Sequence, residues 1–528
     1  MLLSRSRLLI ATICMMLVAC ATNQQMVGGR LALPEKIAPD EGVLLVKLVG
    51  IQPLSVFNAK WKSIKLKRKS DDVYVELSDT APATASYSLF MGTLPPGQYE
   101  IAGVESLGPA PGNFGILPAL IIMAMASDSQ NLNSKFGTFT VNPGVLSNLG
   151  TIVSSFSDRK DEPMRVAVLS DEFGRGAALK DVEPSSYGRL KAMPVSSWDK
   201  APESGEGVAA LANIRKFATS VTSLENMPDN QLAVGSALGT IRLRKADGLW
   251  VSMAVPGLDT LTYVRPLEGG KILAATDAGR YYVWQADKGV WLENQAFSND
   301  YRILRVEPMG THGYALVAAT TTMPTLAAPM RTKIFFKKTL DEPGSGKEIM
   351  ELGFSALGAI PMHFDGEHLQ VYFNHVGISR TLDRYKIHPA SMQQTKDEMN
   401  FWAFGISSLQ DGTLVMDRMN GLSNYVSISS DKGASWKHGE TAGPHSVRFI
   451  DANVGYGFST VSTGWSTVTS ILNKTTDGGK TWVKLGKPIE THGLLHVRLV
   501  QGAVFVYTSK QLLSTNDDGE NWKVETMM

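Results

Sequence analysis

Three copies of one short pattern near the C-terminus constrain the fold of this 528-residue chain more than any other feature. The copies follow the formula S/T-x-D-x-G-x-S/T/N-W and occupy residues 429–436, 475–482 and 515–522. Their tryptophans, Trp436, Trp482 and Trp522, are separated by 46 and 40 positions. A period of roughly 40 to 50 residues is typical of the four-stranded blades of a β-propeller. The repeat therefore predicts a ring of blades.

Each residue type in the pattern can be assigned a structural role in a tight turn. The aspartate is expected to accept hydrogen bonds from the backbone amides of a tight hairpin, the glycine to supply a positive φ, and the tryptophan to plug the turn. These structural positions are Asp431, Gly433, Trp436, Asp477, Gly479, Trp482, Asp517, Gly519 and Trp522. One carboxylate per hairpin is too few ligands for calcium, so a structural role is favoured.

The pattern resembles the Asp-box of sialidase-like (BNR) and photosystem II assembly-factor-like β-propellers, and of the sortilin ectodomain. The inner-strand sequence at residues 447–456 is most similar to the assembly-factor branch, and the resemblance covers about residues 207–528. It implies a fold and leaves the partner open. Shortened copies ending at Trp250 and Trp291, with two units lacking the box, bring the count to seven blades, with six or eight as open alternatives.

The N-terminal half predicts a different all-β unit. Short alternating strands separated by turn residues indicate a six- or seven-stranded β-sandwich over residues 41–156, similar to immunoglobulin- or transthyretin-like modules. Residues 20–40 read as a tether, and residues 157–206 as a linker with short helices. The apolar segment 109–126 is either a buried loop or an exposed contact for a partner or lipid. The predicted fold class is thus all-β, a sandwich followed by a propeller.

The first 19 residues have the charge and length pattern of an export signal, and Leu17–Cys20 resembles a bacterial lipobox. This resemblance implies that Cys20 carries lipid and anchors the chain to the membrane, and Ala21 after it favours the outer membrane of the cell envelope. The alternative is an ordinary signal peptide with an incidental cysteine. Lys+Arg 51 against Asp+Glu 50 leaves no net charge that would favour nucleic acid.

Basic side chains recur on the strands expected to line the propeller channel. The same short strand pattern precedes each unit, which predicts that these basic residues share one position in their blades: Arg265, Arg305, His363, Arg448 and Arg498. Equal register would place them on one face at similar depth and form a cationic ring suited to carboxylate, phosphate or sulfate groups. The alternative is that each arginine pairs with an acid such as Glu307 or Asp451 and joins adjacent blades.

The sequence favours binding over chemistry. The resemblance to sialidases implies an R-I-P motif, an arginine triad, a Tyr/Glu nucleophile pair and an acidic Asp, yet no R-I-P precedes the first blade. We therefore expect a lipid-anchored protein that binds an envelope protein or glycan partner, without a cofactor and without enzymatic activity. A sialidase-like glycoside hydrolase acting on acidic sugars is the alternative. A zinc site at His363, His368 and His375 is disfavoured because such sites need more ligands.

Overall fold

The computed structural model describes residues 36–51, 58–59, 61–81, 87–106, 129–131, 137–155, 165–169, 182, 184–200, 207–218, 220–298, 301–320, 331–353, 360–375, 381–409, 411–420, 423–439, 442–463, 468–491, 496–508 and 511–525. Within them the chain is almost entirely strand, which confirms the all-β class. Cys20 and the apolar segment 109–126 lie outside the described residues. No described helix is both long and apolar enough to cross a bilayer.

The N-terminal unit contains two six-stranded sheets. The first sheet consists of β1 (Gly42–Ile51), β2 (Asn58–Ala59), β5 (Ser88–Leu94), β9 (Leu146–Ser155), β10 (Arg165–Leu169) and β11 (Val195–Ser196). The second consists of β3 (Trp61–Arg68), β4 (Tyr74–Ser78), β6 (Gly97–Ser106), β7 (Ser129–Asn131), β8 (Thr138–Val141) and β12 (Trp198–Lys200). Leu44 and Val46 of β1 face the second sheet, in a core with Ile64 and Phe139.

The opposite face of β1 is also buried. Val43 and Leu45 pack with two helices, α1 (Pro184–Lys191) and α2 (Gly207–Arg215), and with Leu238 of the propeller. Because both faces of the strand are covered, β1 is apolar along almost its whole length rather than alternating. Its pairing with β9 is parallel.

The predicted linker at residues 157–206 is only partly a linker. It supplies β10, which pairs with β9, and β12, which pairs with β8. Trp198 donates from Nε1 to the carbonyl of Leu149 at 3.0 Å and packs edge-on against Phe139. The buried residues of β10 contribute to both apolar clusters, and this burial, rather than local charge, decides the structure of the segment. Similarly, the four-stranded sheets begin at Ser223 rather than at 207, since α2 packs on the N-terminal unit.

Seven four-stranded antiparallel sheets, here called blades 1 to 7, follow within the described residues, and each has its four strands in chain order. Blade 1 consists of β13 (Ser223–Met227), β14 (Gln231–Gly235), β15 (Thr240–Arg244) and β16 (Trp250–Ala254), and blade 2 of β17 (Leu261–Pro266), β18 (Ile272–Thr276), β19 (Arg280–Gln285) and β20 (Val290–Gln295). Blade 3 consists of β21 (Tyr301–Pro308), β22 (Tyr314–Thr320), β23 (Thr332–Lys337) and β24 (Lys347–Leu352). Blade 4 consists of β25 (Met362–Phe364), β26 (Leu369–Asn374), β27 (Leu382–Ile387) and β28 (Gln394–Met399).

Blade 5 consists of β29 (Trp402–Ser408), β30 (Leu414–Asn420), β31 (Ser423–Ser429) and β32 (Lys437–His438). Blade 6 consists of β33 (His445–Phe449), β34 (Gly455–Thr463), β35 (Val468–Thr475) and β36 (Val483–Thr491). Blade 7 consists of β37 (His496–Val500), β38 (Ala503–Tyr507), β39 (Leu512–Thr515) and β40 (Lys523–Val524). Two short 3₁₀ helices, Glu268–Gly270 and Gly310–His312, link the first two strands of blades 2 and 3.

The first strands of the blades lie at the centre of the ring. β13 contacts β17, β17 contacts β21, β21 contacts β25, β25 contacts β29, and β33 contacts β37. β37 contacts β13 in turn, so the last blade meets the first. Among the described strands none is exchanged between these two blades, and side chains make the contacts described at this junction.

Candidate functional site: the channel ring

A dipeptide recurs on the inner strand of every blade. A mostly buried apolar residue precedes a residue of variable type, as in Val264-Arg265 and Val497-Arg498. Since side chains alternate along a strand, the second residue lies on the opposite face of the inner strand from the buried first residue. We call the seven second residues the channel ring: Glu225, Arg265, Glu307, His363, Ser407, Arg448 and Arg498.

The ring differs from the sequence prediction in one predicted residue, Arg305, and in two blades for which no ring residue was predicted. Arg265, His363, Arg448 and Arg498 occupy equivalent places, but Arg305 does not. A register shift between Ile303 and Arg305 leaves Glu307 at the ring position of blade 3. Arg305 lies two residues earlier on the same strand, so it still projects to the same side.

Blades 2 and 3 are joined by a trio of charges. Glu307 accepts a hydrogen bond from Arg265 Nη1 at 2.9 Å and two from Arg305, at 3.2 Å from Nε and 3.0 Å from Nη2. Burial alone would raise the pKa of the Glu307 carboxyl, but the two guanidinium groups outweigh it and hold the pKa below its ordinary value. Arg305 also donates to the carbonyl of Met362 in blade 4 at 2.9 Å. These arginines therefore connect neighbouring blades.

A second pair spans the junction between the last and first blades. Arg498 Nη2 donates to Glu225 Oε1 at 2.8 Å, and Asn226 Nδ2 donates to the carbonyl of Leu499 at 3.0 Å. Glu225 was not singled out in the sequence. The repeated dipeptide, here Leu224-Glu225, is the signal that would have found it.

Arg448 differs from the other ring arginines because, among the described residues, no carboxylate lies within 4.0 Å of it. Its Nη1 donates to the carbonyl of Val447 at 2.7 Å. Burial lowers the pKa of the Arg448 guanidinium to about 10, the neighbouring Arg498 contributes in the same direction, and Asp417 and Glu225 oppose it. Arg448 stays cationic at neutral pH, and within the described part of the chain its hydrogen bond to Val447 leaves most of its N–H donors uncommitted.

Asp451, the acid expected beside Arg448, is occupied elsewhere. Its Oδ1 accepts the backbone amides of Asn453 and Val454, both at 2.8 Å, in the turn that ends β33. The pairing with Asp451 is therefore wrong, because local backbone amides satisfy that carboxylate first. Two other carboxylates influence Arg448: Asp417 on β30, one strand behind the inner strand of blade 5, and Glu225 in blade 1.

His363, His368 and His375 make separate contacts. His363 lies in the ring, and burial lowers the pKa of its imidazole, although Glu307 and Asp365 oppose that effect. His368 packs edge-on against His388, and His375 Nε2 lies 2.7 Å from Asp383. Within the described parts of the chain, no group of three or more His, Cys, Asp or Glu side chains is arranged to hold a metal ion.

Tyr263 lies against the charge trio. Arg265 Nη1 lies 3.3 Å from the Tyr263 hydroxyl and donates to it. Burial raises the pKa of this phenol, with Arg265 and Arg305 opposing. The structure therefore places a tyrosine next to a glutamate and two arginines. The sequence did not predict that these side chains would be neighbours. Glu307 is held by both guanidinium groups, which leaves it little basicity.

The ring and its neighbours carry more positive than negative charge. There are four arginines and two glutamates in this group: Arg265, Arg305, Arg448 and Arg498 against Glu225 and Glu307. The excess is therefore two positive charges, and it falls to one when the nearby Asp417 is ionised. The fields of these groups reach across the channel, since Arg448 responds to both Glu225 and Arg305. The uncompensated charge is concentrated at blade 6.

The Asp-containing turns lie between the third and fourth strands of blades 5, 6 and 7 and make the expected local contacts. In blade 6, Asp477 Oδ1 accepts the amide of Thr481 at 2.9 Å and the hydroxyl of Thr475 at 2.8 Å. Hydrogen bonds from Thr481 lower the pKa of the Asp477 carboxyl to about 2. Gly479 has a φ of 83°, and Trp482 packs edge-on against Phe449.

These turns also touch the preceding blade. In blade 5, Arg384 of blade 4 donates to the carbonyl of Gly433 at 2.7 Å, and Trp436 packs edge-on against Tyr372 of blade 4. The carboxylates face backbone and hydroxyl donors, which is a structural environment.

Comparison with known proteins bears on the fold. No protein-family model and no curated protein sequence matches the chain. Among solved structures the chain is similar to virginiamycin B lyase from Staphylococcus aureus (13% identity, TM-score 0.33, 55% of this chain and 92% of that chain) and to a streptogramin B lyase (12%, 0.34, 57% and 92%). It is also similar to a chain of the mitotic checkpoint complex (10%, 0.38, 56% and 88%). The class is defined by the chain's own described residues: seven four-stranded sheets, whose first and last members contact each other, make it a β-propeller protein.

The expectation that the chain is not an enzyme is corrected by this comparison. Two of these similar structures are named lyases, so a chain of this fold class is not excluded from catalysis by lacking a sialidase signature. At these identities the likeness concerns the fold alone, and no activity is transferred from it.

Proposed function

We propose that the channel ring binds an anionic group, a carboxylate, phosphate or sulfate, carried by a protein or glycan partner in the cell envelope. The observation that carries the proposal is Arg448, a guanidinium in the ring that has no carboxylate within 4.0 Å among the described residues. Arg265, Arg305 and Arg498 are held by ring glutamates and join blades. Arg448 makes no such pair, and guanidinium groups bind carboxylate and phosphate well.

Anion titration of the full chain, purified in detergent, tests this directly. Sulfate, glucuronate and sialic acid are added at fixed ionic strength, and binding is followed by calorimetry. Arg448→Gln should lower the affinity at least about tenfold, since hydrogen bonds to charged groups contribute roughly 1.5–3 kcal/mol. Arg331→Gln is the matched control, because that arginine is 55% exposed on the outer part of blade 3 and pairs with Glu351. Equal affinities in wild type and Arg448→Gln would refute the site.

We also propose that the chain is an Asp-box propeller protein anchored to the membrane through lipidated Cys20. The motifs at residues 17–20 and 429–522 support this proposal.

 Growth with an alkyne-tagged fatty acid should label the wild-type chain and Cys14→Ser, whereas Cys20→Ser should stay unlabelled and leave the membrane fraction. Labelling of Cys20→Ser would contradict the anchor.

A second candidate function is cleavage of acidic glycosides, and the contact between Tyr263 and Arg265 favours it. A tyrosine beside two arginines and a glutamate has the residue types that such chemistry uses, although Glu307 is the one carboxylate hydrogen-bonded into this group among the described residues. Purified wild type is incubated with a fluorogenic sialoside, together with Tyr263→Phe and, as a control, Tyr74→Phe at an exposed position. Turnover that Tyr263→Phe abolishes would support hydrolysis, and absence of turnover would exclude it for this substrate.

A further inference from the structure

Asp417 lies directly behind the part of the ring that carries the uncompensated charge. It is on β30, is 5% exposed, and accepts the backbone amide of Val447 on its Oδ2 at 3.2 Å. Its Oδ1 is buried and has no hydrogen-bond partner among the described residues. A buried carboxylate with one unsatisfied oxygen is costly to keep ionised unless a nearby cation compensates it.

The compensating cation is Arg448. On its own sheet Asp417 lies opposite Gly405 of β29 and Val426 of β31, and neither side chain titrates. From the neighbouring blade it meets the backbone amides of Ser446 and Val447 and the field of Arg448. Arg448 is therefore the charged side chain on which the ionised form of Asp417 depends.

We infer, on the basis of the anion site proposed above, that Asp417 sets the affinity of the ring for anions and takes up a proton when an anion binds Arg448. An anion bound to the Arg448 guanidinium adds negative charge close to Asp417. It weakens the stabilisation that the Arg448 charge gives to the ionised Asp417 carboxylate. The protonated form of Asp417 then becomes more favourable. By linkage, the protonated protein binds the anion more tightly than the ionised one.

The direction of the pH dependence follows from the free protein. Burial raises the pKa of Asp417 to about 6, against the lowering effects of the Val447 amide and Arg448. A bound anion raises it further, so anion affinity is highest below pH 6 and falls as the pH rises through the interval between the free and bound values. Two like charges separated by roughly 7 Å in a medium of intermediate dielectric interact strongly enough to change the affinity about tenfold.

Sulfate is the probe for this coupling, because its charge stays constant between pH 5 and 8. The affinity of the full chain in detergent is measured across this range, and proton uptake is obtained by repeating the calorimetry in buffers of different ionisation enthalpy. Wild type should bind about tenfold more weakly at pH 8 than at pH 5 and take up a fraction of a proton, at most about one, near pH 6.5. Asp417→Asn, which mimics the protonated carboxyl, should bind tightly at both pH values and take up none.

Asp411→Asn is the matched control, since Asp411 accepts a backbone amide in an exposed turn of the same blade. It should retain the wild-type pH profile. The inference fails if sulfate binds wild type with the same affinity at every pH and without proton uptake, and this measurement needs no variant to fold. If sulfate does not bind at any pH, or binds independently of Arg448, the proposed function itself fails.

Discussion

Arg498 and Glu225 meet at 2.8 Å across the junction between blade 7 and blade 1. The two side chains are 16% and 27% exposed, so the pair is better shielded than most surface ion pairs. Because the described strands of these blades are not exchanged, side-chain contacts such as this pair hold the ring closed at this point.

Loss of the junction pair should loosen the ring. Glu225→Gln leaves Arg498 without its carboxylate and should lower the free energy of unfolding by about 1–3 kcal/mol. Glu351→Gln, which affects an exposed pair with Arg331 and a partly exposed pair with Lys333, should cost less than about 1 kcal/mol. Urea unfolding followed by tryptophan fluorescence measures both. Equal costs would show that the junction does not depend on this pair.

Glu307 should be more important for stability than any other ring acid. Glu307→Gln removes the charge that compensates two partly buried arginines, so unfolding should become easier by about 3–5 kcal/mol. Since the pKa of Glu307 is lowered in the folded chain, its contribution is complete above the unfolded pKa and is lost as the pH falls through the folded value. Wild type and variant should therefore converge in stability in acid; a constant difference down to pH 2 would contradict this.

Substitutions at two glycines with positive φ distinguish the cost of backbone strain from the cost of a clash between blades. Gly502 has a φ of 79° and open space around an added Cβ, so Gly502→Ala should cost about 1 kcal/mol. Gly486 has a φ of 60°, and an added Cβ would collide with the backbone of Gly519 in the next blade. Gly486→Ala should therefore cost several kcal/mol more than Gly502→Ala. Thermal unfolding of both variants tests the close contact between blades 6 and 7.

The carboxylates of the three turns should govern acid stability of the last blades. Hydrogen bonds to hydroxyl and amide donors lower the pKa of Asp431, Asp477 and Asp517 to about 2. A lowered folded pKa contributes stability above the unfolded value, roughly 4, which is lost between about pH 4 and pH 2. Replacing all three with Asn should flatten the dependence of Tm on pH in this window. An unchanged slope would show that these turns do not contribute.

Much of the architecture follows from sequence periodicity. The number of four-stranded sheets equals the number of repeats expected, because each blade needs its own alternating strands and turn residues whether or not its box survives. β10 was missed because buried pairing with β9 decides its structure, whereas its flanking sequence is charged. Long-range pairing of this kind leaves no local signal.

The ring was only partly predictable. Arg265, His363, Arg448 and Arg498 were placed correctly by the strand pattern, whereas the irregular register of β21 moved Arg305 off the ring position and put Glu307 there. Glu225 and Ser407 occupy the same position but are not basic, so a pattern of basic residues does not predict them. Which arginine remains without a carboxylate depends on side-chain contacts between blades, and sequence spacing does not determine these.

The most direct test of the anion site is the sulfate affinity of the full chain with and without the Arg448 guanidinium, measured by calorimetry at pH 5 and fixed ionic strength. Wild type and Arg331→Gln should bind with the same affinity, and Arg448→Gln should bind at least about tenfold more weakly while unfolding at a similar temperature. Sulfate binding that survives unchanged in Arg448→Gln would contradict the assignment of the channel ring as the binding site.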